Sequence, residues 1–172
     1  MTRKAIAILG STGSIGVSAL DVVRAFPERL EVVALAAGGN LERLTEQVAE
    51  VRPELVSIAD PSRLPELRGR LRDAGVDLAS VELCAGEEGP LAVARHPKAS
   101  LVLTAMVGAV GLPPTLAAID RGVEVALANK EPLVAAGQLC TARAEASGAT
   151  LLPVDSEHNA IFQCLSGQPR EA

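Results

Sequence analysis

Residues 4–16 constrain this chain more than any other stretch. Lys4-Ala-Ile-Ala-Ile-Leu9 has the length and apolar content of a buried strand, and Gly10-Ser-Thr-Gly13-Ser-Ile-Gly16 follows at once. That glycine spacing reads as a tight turn entering a helix. Gly10 can take the positive φ that ends a strand sharply. Gly13 lets the backbone approach a bulky anion, and Gly16 lets the helix lie close on the strand. The backbone N–H groups of Thr12, Gly13, Ser14 and Ile15 are then expected to point outward, unpaired, at the positive end of the helix dipole. The pattern G-x-x-G-x-x-G is a variant of the dinucleotide fingerprint. A purely structural strand–helix turn is the competing reading, and the alternation of the following chain favours the phosphate cradle.

Strand and helix signals alternate from there on. Helical spacing runs from Ser14 to Phe26, where Pro27 stops it. Leu30–Ala37 is the second strand, and Asn40 is a good N-cap for a helix through Val51. Leu55–Ala59 is the third strand, with Asp60-Pro61 capping a helix that Gly75 ends. That helix carries Arg63, Arg68, Arg70 and Arg72, which read as solvated surface. Val81–Cys84 is a short strand, Gly86–Pro90 a turn, and a short helix runs to Arg95. Ala99–Thr104 and Val123–Ala128 are further strands, separated by a loop through Gly108, Gly111, Pro113 and Pro114 and by a helix to Arg121. Pro132 opens a helix to about Ser147, Ala149–Pro153 is the last clear strand, and Phe162 and Leu165 suggest one more helix. Short apolar strands of this kind predict a doubly wound, mostly parallel α/β sheet, Rossmann-like, covered on both faces. We expect residues 1–150 to form the nucleotide-binding domain and residues 151–172 to begin a catalytic, metal-binding one.

Composition narrows the function. Of 172 residues 48% are hydrophobic, yet Phe26 and Phe162 are the only aromatics, so the core must be aliphatic. The net charge of −5, with no basic block, argues against nucleic-acid binding. No apolar run reaches the roughly 18 residues of a membrane span, and Met1-Thr-Arg-Lys4 does not resemble a leader. Cys84, Cys140 and Cys164 are widely spaced, so buried free thiols in a reducing cytoplasm are expected.

In a doubly wound sheet ligands bind beyond the carboxyl ends of the strands. The polar clusters lie at those ends. An NAD-preferring fold places an acid at the end of the second strand, whereas this one reads Ala36-Ala-Gly-Gly-Asn40 and Glu31 lies at the wrong end. That permits NADP, with Asn40 and Arg43 as partners for a 2′-phosphate. Asp155-Ser-Glu157-His158-Asn159 follows the last strand. Asp155 and Glu157 are hard oxygen ligands suited to Mg²⁺ or Mn²⁺, or else a helix cap and an early-turn acid. Lys130 could hold a phosphate or be an exposed loop lysine. Cys164 as a thiol nucleophile, in a semialdehyde-type dehydrogenase, is a weaker alternative; a homoserine-type dehydrogenase or a non-catalytic nucleotide module are others.

Taken together the chain resembles the 1-deoxy-D-xylulose 5-phosphate reductoisomerases. The matching segments are Ile8–Gly16, Val32–Leu35, Gly111–Ile119, Leu127–Glu131 and Leu151–Phe162, of which Pro153-Val-Asp-Ser-Glu-His-Asn159 is the most specific. The resemblance implies an NADPH- and divalent-metal-dependent enzyme of non-mevalonate isoprenoid biosynthesis. It would rearrange 1-deoxy-D-xylulose 5-phosphate and reduce the product to 2-C-methyl-D-erythritol 4-phosphate. Carried over by position, Thr12, Gly13, Ser14 and Ile15 would hold the pyrophosphate, and Gly38, Gly39 and Asn40 would meet the adenosine end. Asn129 and Glu131 would lie near the nicotinamide. Lys130 would meet substrate, as would Ser156, and Asp155 and Glu157 would bind Mg²⁺ or Mn²⁺, with Lys130 and Glu157 catalytic. A cytoplasmic homodimer is implied. Relatives often carry a basic residue where this chain has Gly39, and they run to about twice this length. The expectation is therefore that these 172 residues bind NADPH without turning over.

Overall fold

The structure, a computed structural model, describes residues 3–167. Met1 and Thr2 of the expected leaderless start, and residues 168–172 of the expected second domain, lie outside the described residues. Seven strands are present among those described: β1 (Lys4–Leu9), β2 (Leu30–Ala37), β3 (Leu55–Ile58), β4 (Glu82–Ala85), β5 (Leu101–Thr104), β6 (Glu124–Leu127) and β7 (Thr150–Pro153). They form one sheet in the order β4-β3-β2-β1-β5-β6-β7. Every pairing is parallel, so the sheet is wholly rather than mostly parallel. The helices between them are α1 (Ser14–Ala25), α2 (Leu41–Val51), α3 (Leu64–Asp73), α4 (Glu88–Ala94), α5 (Leu112–Ile119) and α6 (Glu131–Ser147); α7 (Ser156–Leu165) follows β7. β7 pairs with β6 from Glu124↔Thr150 to Leu127↔Pro153, so it continues the same sheet as its edge strand.

The core explains why strands without strict alternation fold here. Both faces of each central strand are covered, so successive side chains enter two different cores. Ala5, Ala7 and Leu9 of β1 pack with Val93, Val102, Ile119, Val125 and Cys140 under α4–α6. Ile6 and Ile8 pack with Leu20, Leu44, Val56, Leu67 and Leu71 under α1–α3. Neither phenylalanine contributes; Phe26 and Phe162 are both exposed.

Three local expectations shift. Pro90 lies inside the first turn of α4, and Pro113 and Pro114 lie inside that of α5, rather than in the preceding loops. The first four N–H groups of a helix lack intrahelical partners, so proline removes nothing there. The arginine helix opens with a separate 3₁₀ turn, Pro61–Arg63, which Asp60 caps by accepting from the Ser62 N–H at 2.9 Å. α6 carries a kink at Ala136, whose φ of −145° and ψ of 35° are not helical.

At the opposite, amino-terminal end of the sheet, His96 is buried with Nε2 3.6 Å from Glu54. Glu54 and Glu82 favour its charged form, and Lys98 and Arg121 oppose it. Burial outweighs them all and lowers its pKa from the ordinary 6.5. A depressed folded-state pKa means the unfolded chain binds the extra proton more readily. The stability His96 contributes is therefore complete above its unfolded value and is lost as pH falls through the folded one. The urea midpoint should drop between about pH 7.5 and about pH 5, and His96→Gln should flatten that part of the profile.

Candidate functional site

β1 sits at the point where the chain winds outward to both sides, through β2 and back to β5. Leu9 is in register with Ala36 on one side and Thr104 on the other. A crevice at the carboxyl end of that switch point is where this class of sheet takes ligands. Gly10 turns out of β1 with φ 88°, its N–H donating to the Ala36 carbonyl at 2.8 Å. A Cβ on Gly16 would lie 2.5 Å from the carbonyl oxygens of Gly10 and Ser11, so α1 touches the turn directly.

The expectation of four free N–H groups is corrected at one position: the Gly13 N–H donates to the Gly10 carbonyl at 3.1 Å. Those of Thr12, Ser14 and Ile15 have no partner among the described residues, and α1 has no side-chain cap and no acid in its first turn. The sequence reading missed how α2 supports this turn. Arg43 donates to the Thr12 carbonyl at 3.2 Å, and buried Gln47 donates to that of Ser11 at 2.8 Å. Only the tertiary packing of α2 beside α1 reveals these two bonds.

Two cavities open beside the turn. One, of about 520 Å³, is mostly apolar and includes Gly10, Ala36, Gly38, Ala59, Leu91 and Met106 in its lining. Asn40, two residues after Gly38, is not in that lining and caps α2, its side-chain oxygen accepting from the Arg43 N–H at 3.1 Å. The other, of about 280 Å³, is lined by Gly13, Ser14, Ile15, Met106, Asn129, Lys130, Glu131 and Asp155, among others. Segments far apart in the chain thus face one space. Asn129 organises its floor, donating to the carbonyls of Met106 and Gly108 and accepting from the Glu131 N–H at 3.2 Å.

Asp155 lines that space and a third cavity of about 410 Å³, shared with Lys130, Leu133, Pro153 and His158. Its carboxylate caps α7, accepting from the His158 N–H at 3.0 Å and lying 2.6 Å from the His158 ring. Those two bonds hold its pKa below the carboxylate range, with Lys130 adding in the same direction. Glu157 is exposed, and its pKa is lowered chiefly by its own backbone N–H, then by the Ser156 hydroxyl at 2.9 Å, then by Lys130. The Ser156 hydroxyl is therefore directed at Glu157 rather than into a cavity. Among the described residues no group of three His, Cys, Asp or Glu is placed to hold a metal ion.

Cys164 is exposed, against the expectation of a buried thiol, because no residue of α7 is buried. Cys84 is partly buried and Cys140 fully so, and burial raises both their pKa values. No described histidine is bonded to a cysteine: His158 meets Asp155 and His96 meets Glu54. A thiol mechanism has no support here.

A parallel doubly wound sheet with an open helix N-terminus at its switch point defines a dinucleotide-binding α/β domain. An ordered Asn-Lys-Glu turn and an acidic helix start share its rim. The chain belongs to the 1-deoxy-D-xylulose 5-phosphate reductoisomerase family, whose model matches residues 6–137. A relative of that name from Symbiobacterium thermophilum is 56% identical over 165 residues, covering 96% of this chain and 42% of its own length. A solved structure of DOX-P reductoisomerase in complex with magnesium superposes with a TM-score of 0.90 at 41% identity, over 96% of this chain and 40% of that one. The reductoisomerase from Zymomonas mobilis in complex with NADPH gives a TM-score of 0.88 at 44% identity, over 95% of this chain and 41% of that one. The chain thus spans about 40% of the length of the curated relatives it matches. Among the described residues no helix is long and apolar enough to cross a membrane.

Proposed function

We propose that these residues are the NADPH-binding part, and the opening of the catalytic part, of an enzyme that converts 1-deoxy-D-xylulose 5-phosphate to 2-C-methyl-D-erythritol 4-phosphate. The observation that carries this reading is the cavity shared by Gly13–Ile15, Asn129–Glu131 and Asp155. The unpaired N–H groups of Thr12, Ser14 and Ile15 and the bare Cα of Gly13 suit a pyrophosphate. The apolar cavity by Gly38, Gly39 and Asn40 suits adenosine, and Asn129 and Glu131 lie where the nicotinamide would arrive. Lys130, between the second and third cavities, is a point charge for substrate oxygen or phosphate. Asp155 and Glu157 supply two hard oxygens for Mg²⁺ or Mn²⁺, a partial shell that fits the ion without completing it; the third carboxylate that the family resemblance implies would come from outside residues 1–172. Bound NADPH supplies hydride, and the divalent ion polarises a carbonyl. Ser156, whose hydroxyl proton goes to Glu157, would meet substrate as an acceptor.

We take residues 151–172 to begin the catalytic part, β7 being the edge it shares with the nucleotide domain. Exposed Ile161, Phe162 and Leu165 on α7 suit a covering surface in a homodimer or in the longer protein. The free cysteines suit the cytoplasm.

The chain has no Trp or Tyr, so NADPH fluorescence can be read on binding without protein interference. NADPH emission should change saturably on titration with the 172-residue chain. NADPH should not be consumed when 1-deoxy-D-xylulose 5-phosphate and Mn²⁺ are added. Absence of binding would overturn the cofactor assignment, and consumption would overturn the claim that these residues are an incomplete enzyme.

A further inference from the structure

We propose that Arg63 receives the 2′-phosphate of the nucleotide and so sets the preference for NADPH over NADH. This rests on the nucleotide reading above. The sequence placed Arg63 on a solvated helix face, but the fold brings it to the turn after β2. Its Nη1 donates to the Gly39 carbonyl at 2.7 Å. Its Nε and Nη2 meet one Glu66 oxygen at 3.0 and 2.9 Å. Held on two edges, the guanidinium is positioned before any ligand arrives, and it keeps N–H groups for a third partner, since it carries five.

The location follows from the two ends of the site. The adenine would occupy the apolar cavity at the ends of β2, β3 and β4, while the pyrophosphate would sit at Gly13. The ribose between them must pass the end of β2, beside Gly38 and Gly39. No acid stands from Ala36 to Asn40 to accept from a 2′-hydroxyl. A Cβ on Gly39 would lie 3.5 Å from Arg63 Nη1, so the glycine keeps a side chain off this end of the guanidinium. Arg43, the other nearby arginine, donates to the Thr12 carbonyl at 3.2 Å. Of the acids near this site, Asp60 accepts from both the Ser62 N–H and hydroxyl, at 2.9 and 2.7 Å, Glu66 holds Arg63, and Glu87 and Glu88 line the adjoining cavity.

The test is a comparison of NADPH and NADH binding by the 172-residue chain and its Arg63→Met and Arg63→Lys variants. 2′,5′-ADP and 5′-AMP serve as competitors that differ only in the 2′-phosphate. Arg63→Met should weaken NADPH and 2′,5′-ADP by about 10- to 100-fold, the worth of a charge-assisted bond to phosphate. NADH and 5′-AMP should change less than about twofold, and Arg63→Lys should recover part of the loss. Equal loss for both nucleotides, or none for either, would overturn the proposal. If the unaltered chain binds both nucleotides and prefers NADH, the proposal fails while the nucleotide reading stands. If it binds neither, both fail.

Discussion

Gly10→Ala is expected to destabilise the chain by about 3 kcal/mol, although it adds only a single methyl group. Two separate effects contribute. The φ of 88° at Gly10 lies in the left-handed region, which costs an alanine about 1–2 kcal/mol. The new Cβ would stand 2.5 Å from the Ala105 carbonyl oxygen and 2.8 Å from its carbon, across the switch point. Those are backbone atoms that cannot rotate away, and overpacking of this kind costs about 1–3 kcal/mol. Gly69→Ala is the natural control. Gly69 lies within α3 with nothing within 4 Å of its added Cβ, so the same methyl should stabilise by about 0.5–1 kcal/mol. Urea unfolding of the two variants should therefore shift in opposite directions. NADPH affinity should fall only in the first, because only there does the phosphate turn move.

The second large effect is expected at Asn129. Its amide nitrogen serves the carbonyls of Met106 and Gly108, and its oxygen accepts from the Glu131 N–H. Asn129→Asp has the same shape but no donor, and it turns a buried negative charge toward two carbonyl oxygens. Leaving those acceptors unpaired beside a charge should cost about 2–4 kcal/mol at neutral pH. Such a carboxyl titrates above its ordinary value in the folded state, so the penalty should ease as pH falls and the group takes a proton. Asn129→Ala should cost about 2 kcal/mol with no such pH dependence. Both should weaken NADPH binding, because Lys130 and Glu131 are positioned by this residue. A loss of binding without loss of stability would mean that Asn129 only contacts ligand and does not order the floor.

Much of this was readable in advance, for local reasons. The strand–turn–helix of residues 4–16, the cap at Asn40 and the helix starts at Pro61 and Pro132 are set by short-range backbone preferences, which neighbouring residues reveal. The same holds for the cap at Asp155, a residue that reads in the sequence as either a helix cap or a metal ligand; its carboxylate caps α7 and also lines the shared cavity. The solvated reading of the arginine helix holds for Arg68, Arg70 and Arg72, which are exposed, whereas Arg63 is half-buried in the preceding 3₁₀ turn. Arg63 carries no local signal that separates it from Arg68 or Arg72. Its bond to Gly39 exists because β3 is seated beside β2.

The sequence alone determined that this chain alternates strand and helix, that its core is aliphatic, and which short polar segments end its strands. Those properties depend on residues within a few positions of one another. The tertiary structure decided which segments share a space: Gly13, Asn129 and Asp155 around one cavity, and Arg63 at the turn after β2. It also decided which donors were already engaged, as the Gly13 N–H and the Ser156 hydroxyl proton are. Such meetings depend on strand order in the sheet, and strand order is a property of the packed whole.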